Sequence, residues 1–485
     1  MDTGVSEQPK GMLESRVSDD VLVEIFLALS AVTRRADYWA PSPGPILLGS
    51  VCRRWRAVTR SSQLLWASIR ININHPSRFA SALDIFRLFT THSGVCPLEV
   101  SITFRNEEEK HHMSSVDMEQ CQLLASALAA SVERWQHFRT NSHPSFLRRI
   151  EQAVAERPSS STRILETLWI QPYSREGETW PDLGLNVHTT HLDMFAASPK
   201  LRYVSLGDGY SFEGDDLPIR LSWQQIERLD IAASFEGCIQ VFRDCPKLTR
   251  FSVAMAQDCG VEGGVDIVHR SLRSLEMWVD DEPTFDCFFK SVKLPSLLDL
   301  SIHFDLAWNA DESLTQERIT AFLPTCSKLQ RLALRIYEVV PEDFHDILRA
   351  VLPGLMELEI CHEVDEAATI YTNQLLEELT FNHGRQTPAL LPNLHTLSLL
   401  GEGLNMDPAT FTTMIRSRTK ENVDGQHGAL LQSLYIHIVK DTESIKLQDL
   451  GEVKAILGDR ADIRMVAFAP MYQSSAFPDL FDNEH

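Results

Sequence analysis

Apolar positions follow two rhythms along the chain. Between residues 17 and 66 they recur at helical spacing, and after residue 66 they alternate with polar ones in short runs. Asp19 to Leu29 carries Leu22, Ile25, Phe26 and Leu29 at i, i+3, i+4 and i+7, which predicts a short amphipathic helix. Ser18 is placed to cap it, and Asp19 and Asp20 suit the positive end of its dipole. A second helix is predicted from Pro45, with Leu48, Val51, Trp55 and Val58 on one stripe, ended by Ser61 and Ser62 before Leu64-Leu65-Trp66. Ala67 to Ile73 then alternates strictly, which predicts a strand burying Ile69, Ile71 and Ile73. Phe79 to Phe89 reads as a helix and Leu98 to Phe104 as the next strand, so helix and strand begin to take turns.

From residue 165 one phrase, L-x-x-L-x-L with aliphatic or aromatic substitutes, recurs from Leu165-Leu168-Ile170 through Leu272-Leu275-Met277 and Leu297-Leu300-Ile302 to Leu431-Leu434-Ile436, its starts 22 to 39 residues apart. Amphipathic helical stretches lie between, at 235–245, 285–292, 319–326 and 344–352. Many of them end in a small phrase such as Ser198-Pro199-Lys200-Leu201, Cys245-Pro246-Lys247-Leu248 or Leu391-Pro392-Asn393-Leu394. Proline cannot continue a helix and biases the residue before it toward extended geometry, so the phrase is a helix-to-strand switch. Each unit is too small to bury its own apolar face, whereas stacked units share a continuous core. The pattern resembles the leucine-rich-repeat class. That resemblance implies an α/β repeat solenoid over at least residues 165 to about 440, with a helix at 452–457 and a strand at 463–468 as a cap. The Asn or Cys expected three residues after the third apolar letter is absent, with Gly209, Ser234, Asp280 and Glu363 among the residues standing there, so an irregular leucine-rich-repeat horseshoe is expected, its turns held by packing and helices.

The words Val51-Cys52-Arg53-Arg54-Trp55 and Leu64-Leu65-Trp66, behind the first helix, resemble an F-box, with Val17-Ser18 where that family usually opens Leu-Pro and a long link from Ser30 to Gly44. The whole chain is then similar to the fungal-type F-box proteins with divergent leucine-rich repeats. The resemblance implies a small all-α F-box helical module ahead of the repeats, docking the Skp-family adaptor of an SCF-type cullin-RING E3 ubiquitin ligase. The repeats would bind a target protein as a substrate receptor for protein ubiquitination, with no enzyme activity and no cofactor in this chain. Leu22, Ile25, Phe26, Leu29, Val51, Cys52, Trp55, Leu65 and Trp66 would form the module's core and its adaptor-facing side. A plain helical cap for the repeats, a helix-turn-helix, and an F-box-like scaffold acting outside any ligase remain open. The domains expected are a disordered N-terminus at 1–16, the F-box module at 17–66, irregular β/α units at 67–164, the capped array at 165–470 and a polar tail at 471–485.

Composition adds limits. The chain is 44% apolar and 23% charged, as in soluble globular proteins. Residues 1 to 74 hold nine Lys or Arg against seven Asp or Glu, so with a total of −22 the remainder carries −24 and repels phosphate backbones. Nucleic acid is therefore not an expected partner. The nine cysteines include no C-x-x-C pair, which points to a reducing compartment and no metal site. The N-terminus reads unlike a signal peptide and no run is long enough to span a bilayer, so a cytoplasmic and/or nuclear location is expected, with no membrane partner.

Motifs for nucleotide, zinc-protease and serine-hydrolase chemistry are absent. Gly207, Gly209 and Gly214 read as a turn, and His111-His112 and Asp280-Asp281-Glu282 as solvated loops. In the repeats, period two sends the residues between apolar letters to the concave face. Trp169, Tyr203, Arg228, Arg250, Trp278, His303, Arg331 and Arg335 are the candidate target-binding residues there. Trp278 beside His303, Arg331 and Arg335 has the composition of a hot spot, if no helix or loop covers it.

Overall fold

The computed structural model describes residues 17–36, 44–104, 114–157, 161–172, 192–207, 219–255, 266–279, 282–304, 314–336, 341–351, 353–362, 372–381, 389–401, 407–419, 430–439 and 451–466. These fall into two compact units, one running to residue 207 with 219–222, the other from 223 to 466. The segments 1–16 and 467–485, His111-His112, Gly209, Gly214 and Asp280-Asp281 lie outside the described residues.

The first unit opens with three helices, α1 (Asp19–Ala36), α2 (Gly44–Val51) and α3 (Arg53–Ser61), and a 3-10 turn, Gln63–Trp66. Ser18 caps α1, its Oγ accepting from the Val21 amide at 3.3 Å. The single second helix expected from Pro45 is instead two. Cys52 is extended at φ −153° and ψ 171°, and its Sγ accepts from the Trp55 amide at 3.4 Å, so it ends α2 and caps α3. The stripe from Leu48 to Val58 is thereby divided, and Val51 turns outward.

Behind the module come β1 (Ser68–Ile73), α4 (Phe79–His92), β2 (Leu98–Phe104), α5 (Ser115–Ala129), β3 (Trp135–Ser142), α6 (Pro144–Ala155), β4 (Thr167–Pro172) and β5 (Tyr203–Leu206). The five strands pair in parallel in sequence order, and α4, α5 and α6 pack successively against one another. Ile69, Ile71 and Ile73 are buried, as the alternation predicts. Parallel strands need a crossover each, and a helix supplies it for the first three. Ser114 and Asp117 form a reciprocal capping box that starts α5. A cluster of rings, Phe79–Phe104–Phe146, fills the space between strands and helices.

The second unit contains β6 (Arg228–Ala233), α7 (Phe235–Asp244), β7 (Arg250–Met255), β8 (Ile267–Val268), β9 (Ser274–Val279), α8 (Glu282–Ser291), β10 (Val292–Lys293), β11 (Asp299–Phe304) and α9 (Leu314–Phe322). It continues with β12 (Arg331–Ile336), α10 (Pro341–Ala350), β13 (Glu357–His362), α11 (Asn373–Leu379), β14 (Thr396–Gly401), α12 (Pro408–Thr419), β15 (Ser433–Val439), α13 (Gly451–Leu457) and β16 (Ala461–Val466). Strands β6, β7, β9 and β11 through β16 form one parallel ladder, while β8 and β10 pair apart from it. From Ile226 on, each L-x-x-L-x-L phrase ends in one of these strands, the two earlier phrases ending in β4 and β5, and the second and third letters stand in register. Leu275, Leu300, Leu332 and Leu358 make one row, with Met277, Ile302, Leu334 and Ile360 beside it, all buried. The result is a leucine-rich-repeat-like array of β/α units.

The turns are held by more than packing. In the phrases before the strands the leucine amide donates to the carbonyl three residues back, as from Leu248 to Cys245, Leu297 to Leu294, Leu329 to Cys326 and Leu394 to Leu391. The carbonyl just ahead of one strand also accepts two amides of the next repeat. Leu298 O takes Gln330 and Arg331 N–H at 2.8 and 2.9 Å, and Gln330 O takes Met356 and Glu357 N–H at 2.8 and 2.9 Å. This backbone relay does the work of an asparagine ladder, because it satisfies buried peptide groups without any particular side chain.

Candidate interaction surfaces

The helical module is built on two tryptophans. Phe26 and Leu22 of α1 are buried, and the Phe26 ring meets Trp55 of α3 at 4.8 Å. Trp66 donates from Nε1 to the Thr59 carbonyl at 2.7 Å and stacks on His92 of α4 at 4.5 Å, which ties the module to the first β/α unit. Arg54 reaches back to the start of α1, donating to Asp19 Oδ1 at 2.9 and 2.8 Å and to the Val17 carbonyl. The segment entering α1 is thus held by the arginine.

Of the nine module residues expected from sequence, Leu22, Phe26, Leu65 and Trp66 are buried, and Trp55 and Cys52 are half-buried. Ile25, Leu29 and Val51 do not share the buried face as their spacing suggests. They are exposed together with Val21, Ile46, Leu47 and Leu64, each of the seven at 44 to 61%. The physical reason is the side that α1 turns to α3: its Leu22–Phe26 line meets α3 and leaves the Val21–Ile25–Leu29 line, at i, i+4 and i+8, on the outside. Val21, Ile46, Leu47 and Leu64 were not legible as a surface, since a run of apolar letters on a short helix reads equally well as core.

Trp169 and Tyr203 lie in the first unit on neighbouring strands, both half-buried, with the Arg139 guanidinium 5.2 Å from the centre of the Trp169 ring. Gly207 closes against Gln171 at the end of this pair, where a Cβ would fall 2.8 Å from the Gln171 side chain. The other six candidates share the second unit, on the face away from the buried Leu and Ile rows. Arg228 and Arg250 are half-buried and opposite one another on β6 and β7.

Trp278, the hot-spot candidate whose cover the sequence leaves open, is half-buried and stacked on His303 at 4.7 Å with 22° between planes. His303 itself is buried. Its Nε2 lies 3.0 Å from Ser301 Oγ and 3.4 Å from Glu276 Oε1, and burial holds its pKa below the usual histidine value, with the Glu276 hydrogen bond opposing. A catalytic triad needs acid and serine on opposite ring nitrogens. Here both approach the same one, so the arrangement positions a ring and relays no proton.

Arg331 is not an available cation either. Its Nη1 donates to Asp299 Oδ1 at 3.0 Å, its Nη2 to Glu359 Oε2 at 2.9 Å, and Glu357 stands 3.8 Å from Nε. These outward positions therefore form an acid-rich strip, since the acids on β9, β11 and β13 outnumber the arginines of β12. Glu276, Asp299, Glu357 and Glu359 are the site residues that composition alone hid.

Burial pushes the Cys121, Cys245 and Cys326 thiols up to about 12, as suits small core hydrophobes. Among the described residues no group of three or more His, Cys, Asp or Glu is placed to hold a metal ion, and no helix is long and apolar enough to cross a membrane.

No family model and no curated protein matches the chain. Among solved structures it is similar to a protein from Bacteroides fragilis, at 12% identity and a TM-score of 0.33 over 69% of this chain and 86% of that one. It is also similar to TLR13 in its complex with ssRNA13, at 12% identity and a TM-score of 0.28 over 76% of this chain and 61% of that one.

Proposed function

We propose that the chain is a protein-interaction subunit whose helical module, residues 17–66, is an F-box docking a Skp-family adaptor, while the repeat array holds a target protein for ubiquitination by other subunits of an SCF-type ligase. The observation that carries this reading is the exposed apolar surface of the module. Seven large apolar side chains stand open on a module of fifty residues whose own core is already built from Leu22, Phe26, Leu65 and Trp66. Open apolar surface of that density on so small a unit marks a binding face. The family resemblance in Val51 to Trp55 and Leu64 to Trp66 supports the choice of partner. The mechanism is tethering: the chain raises the concentration of the target beside the ligase and contributes no bond chemistry.

Co-expression with the adaptor and cullin tests the reading. Ile25→Asp and Leu47→Asp change exposed positions and leave the core intact, so both are expected to abolish co-purification of the adaptor while the chain stays folded. Equal adaptor recovery with either variant and the wild type would take this face out of the adaptor contact, and recovery of a target complex with no adaptor and cullin would make the chain a scaffold working outside a ligase.

A further inference from the structure

The face of the second unit that carries Trp278 has a chemistry that selects its occupant. One row of outward positions runs in register through Ser252, Glu276 and Ser301, reaches Glu359 on β13 and continues two strands further to Tyr435. Tyr435 is 41% exposed, and at about 4.8 Å per strand it stands roughly 10 Å from Glu359. Between Trp278 and Tyr435, strands β9 to β13 place four carboxylates, Glu276, Asp299, Glu357 and Glu359, against Arg331 and Arg335, a net charge of −2 with His303 neutral. Arg331 spends its donors on Asp299 and Glu359. The Glu357 side chain is still 52% exposed, and its nearer oxygen is 3.8 Å from the guanidinium, so it accepts little from Arg331.

A second observation is independent of that charge. Ser252 Oγ is buried without a hydrogen-bond partner among the described residues, directly beside Glu276. Glu276 Oε1, also buried, meets only the shared and neutral His303 nitrogen at 3.4 Å. Buried polar atoms are normally satisfied, and the unpartnered Ser252 hydroxyl beside the Glu276 carboxylate leaves acceptor capacity that suits a further N–H donor. A phosphate or carboxylate could not supply it and would be repelled by the strip.

We propose that this strip holds an extended Lys/Arg-rich segment of the bound protein, with cationic heads on Glu276, Glu357 and Glu359 and their aliphatic stems along Trp278 and Tyr435. The layout is suited to such a segment. Acids stand on β9, β11 and β13, the exposed Tyr435 ring at one end offers a cation–π face, and long basic side chains cover apolar surface while their heads stay polar. The proposal rests on the reading that the array binds a protein, but not on the module's adaptor.

The test uses the full chain and fluorescence anisotropy with a labelled Arg-Gly-Ser-Lys repeat peptide and its Glu-Gly-Ser-Asp counterpart. The basic peptide is expected to bind saturably and to weaken as salt is raised, while the acidic one does not bind. Glu357→Gln with Glu359→Gln should weaken binding at least about tenfold. Tyr435→Ala, an exposed change with no fold to disturb, should weaken it as well, and thermal melts verify that each variant is folded. No binding of the basic peptide, equal binding of both peptides, or undiminished affinity in the folded variants would overturn the proposal. Adaptor co-purification measured on the same variants separates the outcomes. Lost peptide binding with retained adaptor is expected of the strip variants, and lost adaptor binding with retained peptide binding bears only on the module.

Discussion

The Arg418 guanidinium donates from Nη1 to the carbonyl of Leu391 at 3.0 Å, and Leu391 is the one non-glycine residue with positive φ, +49°, among the described residues. Its Nε and Nη2 serve the carbonyls of Leu379 and Leu390, both at 2.6 Å, and the group lies over the Phe381 ring at 4.6 Å. No carboxylate faces it among the described residues, and burial lowers its pKa to about 10, so it stays charged at neutral pH and is balanced by peptide dipoles. A left-handed leucine costs about 1–2 kcal/mol, which this clamp offsets by satisfying the turn that the conformation creates.

Removing the clamp should therefore cost far more than removing an exposed arginine of the same helix. Arg418→Met leaves the Leu379 and Leu390 carbonyls without this donor and Leu391 with the Leu394 amide alone, and is expected to lose about 2–3 kcal/mol. Arg418→Lys should recover only part, since a compact ammonium cannot span three acceptors. Arg416, half exposed and paired with Glu452, is the control, and Arg416→Met should cost under about 1 kcal/mol. Thermal denaturation of the four proteins decides it, and equal shifts for Arg418→Met and Arg416→Met would refute the clamp.

A smaller contrast tests the helix break at Cys52. Serine is a better cap acceptor than a thiol and fits the same extended backbone, so Cys52→Ser should leave stability unchanged or slightly raised. Cys52→Ala removes the acceptor for the Trp55 amide and should cost about 1 kcal/mol. Hydrogen exchange at the Trp55 amide reads the effect locally. If Ala and Ser protect that amide equally, the cap is not what divides the two helices.

That break also shows where sequence and structure part. The buried Leu and Ile rows were legible because a strand's alternation and a repeat's spacing survive in the letters, and the Pro-containing phrases named the turns. Nothing in Val51-Cys52-Arg53-Arg54-Trp55 marks a helix end, since there is neither glycine nor proline. The end is set by Cys52 capping Trp55, a local contact that a thiol does not announce, and by Arg54 reaching Asp19 from 35 residues away. β3 was hidden for another reason. Its inward positions include Thr140 and Ser142, buried and hydrogen-bonded to each other at 2.9 Å, so hydropathy does not show the strand. On the outer face the rule of alternate positions identified the right side chains and assigned them the wrong exposure. Asp230, Ser252, Ser301 and His303 are outward and yet buried. Tyr435 obeys the same rule in the last repeat and is the position it describes best.

The strip makes its own prediction about Arg331, apart from any ligand. Arg331→Met removes the cation between Asp299 on β11 and Glu357 and Glu359 on β13, leaving the three acids to repel one another across β12. Because the side chains are about one-third exposed, solvent screens them, and a loss of roughly 1–2 kcal/mol at low salt is expected. Raising the ionic strength should recover part of it. Adding Glu359→Gln to Arg331→Met should recover more, and a double variant no more stable than the single one would show that the arginine acts through packing alone.

Three histidines of the second unit should make it acid-labile. His269 donates from Nε2 to the Cys245 carbonyl at 3.1 Å while its Nδ1 accepts from the Leu272 amide, His345 contacts Thr372 Oγ1 at 3.1 Å, and His303 lies under Trp278. Burial is the largest cause of a lowered pKa in all three. The folded state then binds fewer protons than the unfolded one, whose histidines titrate near 6.5. Stability is whole above that value and falls as pH drops through 6.5 toward the folded pKa values, by up to about 1.4 kcal/mol per pH unit for each histidine that stays neutral. Melting temperatures measured from pH 7.5 down to 5 should fall accordingly. His269→Phe loses both hydrogen bonds, so it should melt lower at pH 7.5 yet show a shallower decline on acidification. A variant whose curve runs parallel to that of the wild type would remove His269 from this account.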